Sequence, residues 1–91
     1  MENLSDLKNL VVLDLSYNRI TKIEGLEELQ NLKELYLTRN KLTKIEGLEN
    51  LTSLELLELA DNRIRKVENL ESLITLKKLF LGANQITKIE G

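Results

Sequence analysis

The residues with the clearest potential for chemistry recur every 22 positions along this chain. Four segments each hold two leucines, and the residue between them is acidic or aromatic: Asp14, Tyr36, Glu58 and Phe80. Carboxylates accept hydrogen bonds and attract cations, and aromatic rings bury large apolar areas, so both types suit the binding of another molecule. The spacing favours a recognition surface in which these four side chains act together.

Catalytic chemistry has few candidate residues in this sequence. No histidine or cysteine occurs, which removes the usual general base, the thiolate nucleophile and common metal ligands. No base accompanies a serine or threonine in a recognised pattern, and no phosphate-binding loop or calcium loop is present. The adjacent carboxylates Glu27 and Glu28 are expected on a solvated, convex side. We therefore predict a non-enzymatic protein without a metal or cofactor.

An asparagine follows each of the four segments, again at intervals of 22 residues: Asn18, Asn40, Asn62 and Asn84. The surrounding frame recurs with them, as LKELYLTRNKLTKIEGLENL in the second copy shows. It matches the leucine-rich repeat pattern L-x-x-L-x-L-x-x-N-x-L. Each asparagine stands where the chain turns, so its amide is expected to satisfy backbone groups that the turn leaves unpaired. Stacked copies then form a ladder of asparagine amides.

The frame predicts an α/β fold, namely a right-handed leucine-rich repeat solenoid. Alternation in L-x-L places both leucines on the core side of a short strand and the middle residue on the other side. The strands stack as a parallel sheet on the concave face, and short helical or 3₁₀ turns occupy the convex face. A left-handed backbone is expected at Gly25, Gly47 and Gly91, and at Asn69 in the same slot.

The repeats run through residues 1–91 as a single array of about four copies without polar caps, and Leu4 and Leu7 continue the frame backwards. We expect a segment of a longer protein that self-associates through its ends. A net charge of −2 gives no global attraction to nucleic acid or anionic lipid. Without a signal peptide or an apolar run of roughly 18 residues, the chain is expected to be intracellular, in the nucleus or cytoplasm.

The outward strand positions are free to carry recognition because the leucine frame carries the fold. Stacking in register is expected to align Asp14, Tyr36, Glu58 and Phe80 in one column, with Glu34 and Lys78 beside it. For Asp14 and Glu58, a polar slot that tolerates any residue is an open alternative, whereas an exposed Phe80 needs an explanation. This face balances acidic and basic residues, which favours a protein partner with a basic and apolar patch over nucleic acid.

The signature LxxLxLxxNxIxxIxxLxxL, present as LELLELADNRIRKVENLESL, resembles the SDS-type subclass of leucine-rich repeats, which is typified by a nuclear regulatory subunit of protein phosphatase 1. The resemblance covers the whole chain and implies binding of the protein phosphatase 1 catalytic subunit through the concave face. It assigns that contact to the acidic–aromatic succession of Asp14, Tyr36, Glu58 and Phe80. Other members of the subclass have other partners, so a generic structural segment with a different partner or none is the alternative.

Overall fold

The computed structural model describes residues 8–89, so Leu4, Leu7 and Gly91 lie outside the described residues. Within this range the chain forms short strands: β1 Val12–Asp14, β2 Glu34–Tyr36, β3 Leu56–Glu58, β4 Lys66–Val67, β5 Lys78–Phe80 and β6 Lys88–Ile89. The molecule measures 35 × 27 × 16 Å along its principal axes. In the same range there is no helix with the length and apolar character needed to span a membrane.

Strands β1, β2, β3 and β5 form one parallel sheet in that order. Leu13, Leu35, Leu57 and Leu79 are aligned at its centre, each 22 residues from the next. Leu35 and Leu57 are fully buried, and their strand neighbours point to the opposite side because side chains alternate along a strand. The predicted parallel sheet, with one strand per repeat, is confirmed.

A second parallel pair, β4 with β6, follows the asparagine turns. Backbone hydrogen bonds also join the equivalent segments of the earlier repeats: Lys41 N–H donates to the carbonyl of Ile20 at 2.9 Å, and Arg63 N–H donates to that of Leu42 at 2.8 Å. The sequence analysis did not predict these strands. Apolar residues recur there every third position, as in Ile64 and Val67, and a strand is signalled by alternation with a period of two.

The core is a continuous stack of aliphatic side chains from the repeat frame. It contains no aromatic residue, and its buried members are Ile23, Leu26, Leu29, Leu32, Leu35, Leu37, Leu42, Ile45, Leu48, Leu51, Leu54, Leu57, Leu59, Ile64 and Leu73. The strand leucines of the first and fourth copies, Leu13 and Leu79, are only partly buried. Burial therefore increases toward the middle repeats, as expected when each repeat packs only on its neighbours.

Single hydrogen-bonded turns build the return segments, residues 26–32, 48–54 and 70–76. In the first of them Leu29 N–H donates to Leu26 at 3.0 Å and Leu32 N–H donates to Leu29 at 3.1 Å. These are bonds of the 3₁₀ type, as predicted, and they place every third leucine toward the core. None of these turns continues into a helix in residues 8–89.

Two series of residues have a left-handed backbone. Gly25, Gly47 and Asn69 have φ values of 77°, 75° and 60°, which confirms the prediction for that slot. The second series was not predicted and immediately precedes each ladder asparagine: Tyr17, Arg39, Asp61 and Ala83, with φ between 54° and 61°. None of the four is glycine or asparagine, and only Asp61 is of a type enriched in this conformation, so residue type gave little signal of it. The conformation costs about 1–2 kcal/mol at a residue such as Tyr17.

Candidate protein-binding surface

Asparagine side-chain amides join neighbouring repeats at the turns that follow the strands of the large sheet. Asn40 Nδ2 donates to the carbonyls of Leu37 at 3.0 Å and Leu15 at 3.1 Å, while its Oδ1 accepts from Ile20 N–H at 3.0 Å. Equivalent bonds recur in the next two copies, at Asn62 and Asn84. Each of these amides thus satisfies backbone groups of two successive repeats and fixes their register.

Asn18, in the first copy, differs from the other three asparagines. It is exposed, and its Nδ2 donates within its own repeat, to the carbonyls of Leu15 at 2.8 Å and Ser16 at 3.1 Å. Its described hydrogen bonds therefore stabilise the local turn.

The outer face is the side of β1, β2, β3 and β5 that points away from the leucine core. It is the side of the sheet that the sequence analysis calls the concave face. Strand register pairs Asp14 with Tyr36, Tyr36 with Glu58, and Glu58 with Phe80. These four residues therefore form a single column, spaced by about 5 Å per strand. Glu34 and Lys78 lie in the adjoining column, which also contains Val12 and Leu56. The structure thus brings together all six residues that the sequence assigns to recognition; their role in binding stays a prediction.

The two carboxylates of the column also hydrogen-bond to the backbone. Asp14 Oδ1 accepts from Ser16 N–H at 3.0 Å, and Glu58 Oε1 accepts from Ala60 N–H at 2.9 Å. The bond from the Ser16 backbone, with a second one from its side chain, holds the pKa of Asp14 below its usual value. In both repeats the carboxylate satisfies a backbone N–H that lies just after the strand. These acids therefore have a structural role that the repeat pattern alone did not reveal.

At Tyr36 the same backbone position is satisfied in another way. Thr38 N–H donates to Ser16 Oγ of the preceding repeat at 3.1 Å, so the slot at Tyr36 does not need an acid. The Tyr36 hydroxyl instead donates to Glu34 Oε1 at 2.7 Å. This hydrogen bond raises the pKa of Tyr36, and partial burial and the nearby carboxylates of Glu34, Asp14 and Glu58 add to the effect.

A row of long side chains borders the outer face at the left-handed positions. The Arg39 guanidinium carbon lies 5.8 Å from the centroid of the Tyr17 ring, and Arg39 Nε lies 2.9 Å from Asp61 Oδ2. Tyr17 is 72% exposed, so it contributes surface without filling the core. The sequence analysis counts these positions among the variable ones around each strand but does not assign them to the recognition column, although they share its 22-residue spacing.

The outer face carries a small, open depression between two strands. A shallow depression of about 110 Å³ lies among Glu34, Glu55, Leu56, Lys77 and Lys78. Lys77 Nζ is 3.9 Å from Glu55 Oε1 at its rim. Small-molecule sites usually occupy about 300–1,000 Å³, so this depression suits a single side chain of a macromolecular partner.

The adjacent carboxylates Glu27 and Glu28 both make contacts in the first repeat. Glu27 Oε1 accepts from Gly25 N–H at 3.2 Å, and Glu28 Oε1 lies 3.8 Å from Lys8 Nζ. Across residues 8–89 no group of three or more acidic side chains is arranged to hold a metal ion. The adjacent pair of carboxylates therefore belongs to the turn and the surface of the first repeat.

The family model described as leucine-rich repeats (2 copies) matches residues 8–50 and 52–91. A comparison with curated protein sequences found no match.

Among solved structures, an internalin C2 from Listeria monocytogenes is 39% identical with a TM-score of 0.85, covering 92% of this chain and 37% of its own. A chain of the Drosophila melanogaster SNF/U2A' complex is 32% identical with a TM-score of 0.80, covering 94% and 53%. A Listeria monocytogenes internalin (inlF) is 27% identical with a TM-score of 0.78, covering 97% and 30%. The present chain thus spans between 30% and 53% of the length of these three solved chains.

Proteins with this repeat are typically non-enzymatic scaffolds that bind other proteins. The 22-residue frame, the in-register parallel sheet and the family match over most of the sequence agree with one another. This chain belongs to the leucine-rich repeat family.

Proposed function

We propose that the chain is a non-catalytic scaffold that binds a protein partner through its outer face. The observation that carries this proposal is the column of Asp14, Tyr36, Glu58 and Phe80. Phe80 is 45% exposed in a slot where the same fold accepts aspartate or glutamate, so the fold has no need of an apolar residue there. Exposed aromatic side chains are enriched among the residues that dominate protein interfaces.

The partner's chemistry follows from the groups around Tyr36. Asp14, Glu34 and Glu58 surround it with carboxylates, and the apolar surface of Phe80 lies at the end of the same column. A protein surface that combines basic and apolar side chains complements this arrangement. Lys78, beside Phe80, makes no ion pair with any described residue and offers a site for one carboxylate of the partner.

The finer proposal names the protein phosphatase 1 catalytic subunit as the partner. Its support is the likeness of the repeat frame, and of the acidic–aromatic column, to the SDS-type subclass and to regulatory subunit 7 of protein phosphatase 1. The location proposed with it is intracellular, in the nucleus or cytoplasm. The alternative is a scaffold of the same family with another partner, and the likeness to a chain solved in the SNF/U2A' complex is compatible with it.

Isothermal titration calorimetry with the purified phosphatase catalytic subunit tests both levels. We expect Phe80→Ala to weaken binding by about tenfold or more, because about 1.4 kcal/mol corresponds to a factor of ten. The matched control is Ile74→Ala, another exposed apolar residue at 83% exposure, which lies in a return segment. The control should change the affinity by less than about twofold.

The proposed binding surface and the proposed partner are overturned by different results. Equal losses in Phe80→Ala and Ile74→Ala would overturn the outer face as the binding surface. An absence of binding by the unaltered chain would overturn the phosphatase as its partner.

A further inference from the structure

The overall charge of −2 conceals a strong local separation of charge. The four segments that follow the ladder asparagines are RITK, KLTK, RIRK and QITK, at residues 19–22, 41–44, 63–66 and 85–88. They contain eight of the 13 basic residues of the chain and none of its 15 acidic residues. The other five basic residues share the rest of the chain with all 15 acids.

Backbone register turns these segments into one surface. Hydrogen bonds connect Lys41 N–H to Ile20, Arg63 N–H to Leu42 and Gln85 N–H to Ile64, at 2.8–2.9 Å. β4 pairs with β6 so that Lys66 is aligned with Lys88. We name this surface the basic flank, and its members are Arg19, Lys22, Lys41, Lys44, Arg63, Arg65, Lys66 and Lys88.

The apolar frame residues of these segments face the core, which leaves the cations outside. Leu42 and Ile64 are fully buried, whereas Lys41, Lys44 and Arg63 are exposed. Successive lysines of the flank recur once per repeat, and neighbouring strands lie about 4.8 Å apart. Four such lysines form a line about 15 Å long.

Internal ion pairs neutralise little of the basic flank. Lys66 Nζ lies 3.6 Å from Glu68 Oε1. Six members make no ion pair with any residue of the described range: Arg19, Lys22, Lys41, Lys44, Arg63 and Arg65. Like charges at this spacing repel one another, so the fold gains no stability from keeping cations at these positions in every repeat. A merely solvated surface would be served as well by mixed charges.

We propose that the basic flank binds a short acidic segment of a protein partner. The line of lysines matches four or five extended residues, at about 3.3 Å per residue. The acids nearest to the flank in the sequence are Glu24, Glu46, Glu68 and Glu90, each two residues after a flank lysine, so eight cations stand against four nearby carboxylates. Charges farther away than the Debye length of about 8 Å are screened from a short segment. The contact is electrostatic, lies on a surface separate from the outer face, and does not depend on the phosphatase proposal.

Two other polyanions fit less well. The three aromatic residues, Tyr17, Tyr36 and Phe80, lie outside the flank segments, so the flank offers no ring for stacking nucleic acid bases. An extended nucleic acid or a membrane surface would also face the acidic remainder of the chain, which contains 15 acidic against five basic residues.

Fluorescence anisotropy with a fluorescein-labelled octaglutamate peptide tests the proposal on the 91-residue chain. In about 50 mM salt we expect binding that weakens steeply toward about 300 mM. The double variant Lys22→Glu/Lys44→Glu should weaken it by about tenfold or more, since attraction is replaced by repulsion at two neighbouring repeats. Circular dichroism of the variant should be unchanged, because both lysines are exposed.

The matched control is Lys8→Glu/Lys33→Glu, which changes the net charge equally but lies outside the basic flank. We expect this control to alter the affinity by less than about twofold. Equal losses in the two variants, or no binding of octaglutamate by the unaltered chain, would overturn the proposal. Tighter binding of an eight-residue oligothymidylate, or of phosphatidylserine vesicles, through Lys22 and Lys44 would replace the acidic protein segment with that other polyanion.

Discussion

A carboxylate oxygen at Asp14 or Glu58 accepts a hydrogen bond from the amide two residues further along the chain. At Tyr36 the equivalent amide of Thr38 is satisfied by Ser16 of the previous repeat. The alternation of acidic and aromatic residues in this slot therefore has a partly structural cause. Phe80 has no such explanation, so it is the residue of the column whose identity most directly indicates a partner.

The pKa of Tyr36 tests the local electrostatics of the outer face. The chain has two tyrosines, so Tyr17→Phe leaves Tyr36 as the only one for an ultraviolet titration of tyrosinate. We expect its pKa to lie above the ordinary 10.0, and Glu34→Gln to lower it by removing the charge on the acceptor. Glu71→Gln, in a return segment, is the control. An unchanged pKa in the Glu34 variant would contradict the assigned cause.

The same shift predicts how stability depends on pH. A raised pKa in the folded state means that the folded chain holds the proton more tightly than the unfolded chain does. The stabilisation from Tyr36 is therefore fully present below the ordinary pKa of tyrosine and is lost as pH rises through the folded-state value. Urea unfolding at increasing alkaline pH should show a steeper loss of stability with Tyr36 than with Tyr36→Phe, and parallel curves would refute this.

Replacement of a buried ladder asparagine should be far more destabilising than replacement of an exposed one. Asn62 is 6% exposed and bonds backbone groups of two repeats, so Asn62→Ala should lower the free energy of unfolding by about 3 kcal/mol or more. Asn18→Ala should cost about 1 kcal/mol, because its described bonds are local and exposed. Equal losses in urea denaturation would show that the amides do not join the repeats.

At the level of the elements, the turns at Gly25, Gly47 and Asn69 share a left-handed backbone. At Gly47 φ is +75°, and a Cβ atom would lie 2.5 Å from the carbonyl oxygen of Ile23. Asn69 occupies the same slot one repeat later, and its Nδ2 donates to the carbonyl of Ile45 at 2.7 Å. At Asn69 the equivalent carbonyl therefore accepts a hydrogen bond from the side chain, which offsets part of the cost of a Cβ in this slot.

Substitution of Gly47 measures that constraint. Gly47→Ala should lower the free energy of unfolding by about 2 kcal/mol, through backbone strain and contact with a carbonyl that cannot easily move. Gly47→Asn should cost less, because its amide can donate as that of Asn69 does. Gly82→Ala is the control, since a Cβ there has no neighbour within 4 Å, and it should be neutral or slightly stabilising. An asparagine variant as unstable as the alanine variant would contradict this interpretation.

The elements that follow strict spacing were predictable from the sequence. Leucines two apart indicated the strands of the large sheet, and the glycine slot indicated one series of left-handed residues. The pair β4 and β6 was missed because apolar residues three apart do not distinguish a strand from a turn. The left-handed backbone at Tyr17 and Arg39 was missed because neither residue type favours it.

At the scale of the whole molecule, one repeat length fixes both the core and the surface columns. A 22-residue register aligns every frame position, so the members of the outer-face column were predictable from the sequence. The partner was not, because the outward slots carry no part of the frame and their value depends on a molecule outside the chain. The expected self-association through the ends concerns in part residues 1–7 and 90–91, which lie outside the described range.

The same register separates two surfaces of different chemistry. The outer face combines carboxylates with aromatic rings, and the basic flank presents an excess of cations over the neighbouring acids. With both proposed contacts in place, the scaffold would hold two protein segments at once, and interactions at sites without shared contacts are expected to be additive.

An amide NMR titration of the isotopically labelled chain with the phosphatase catalytic subunit tests the central claim most directly. The account predicts that signal changes concentrate on β1, β2, β3 and β5 and on the residues that follow them, Ser16, Thr38, Ala60 and Gly82. Changes confined to the return segments or to the basic flank, or an unchanged spectrum with a saturating amount of the subunit, would contradict it.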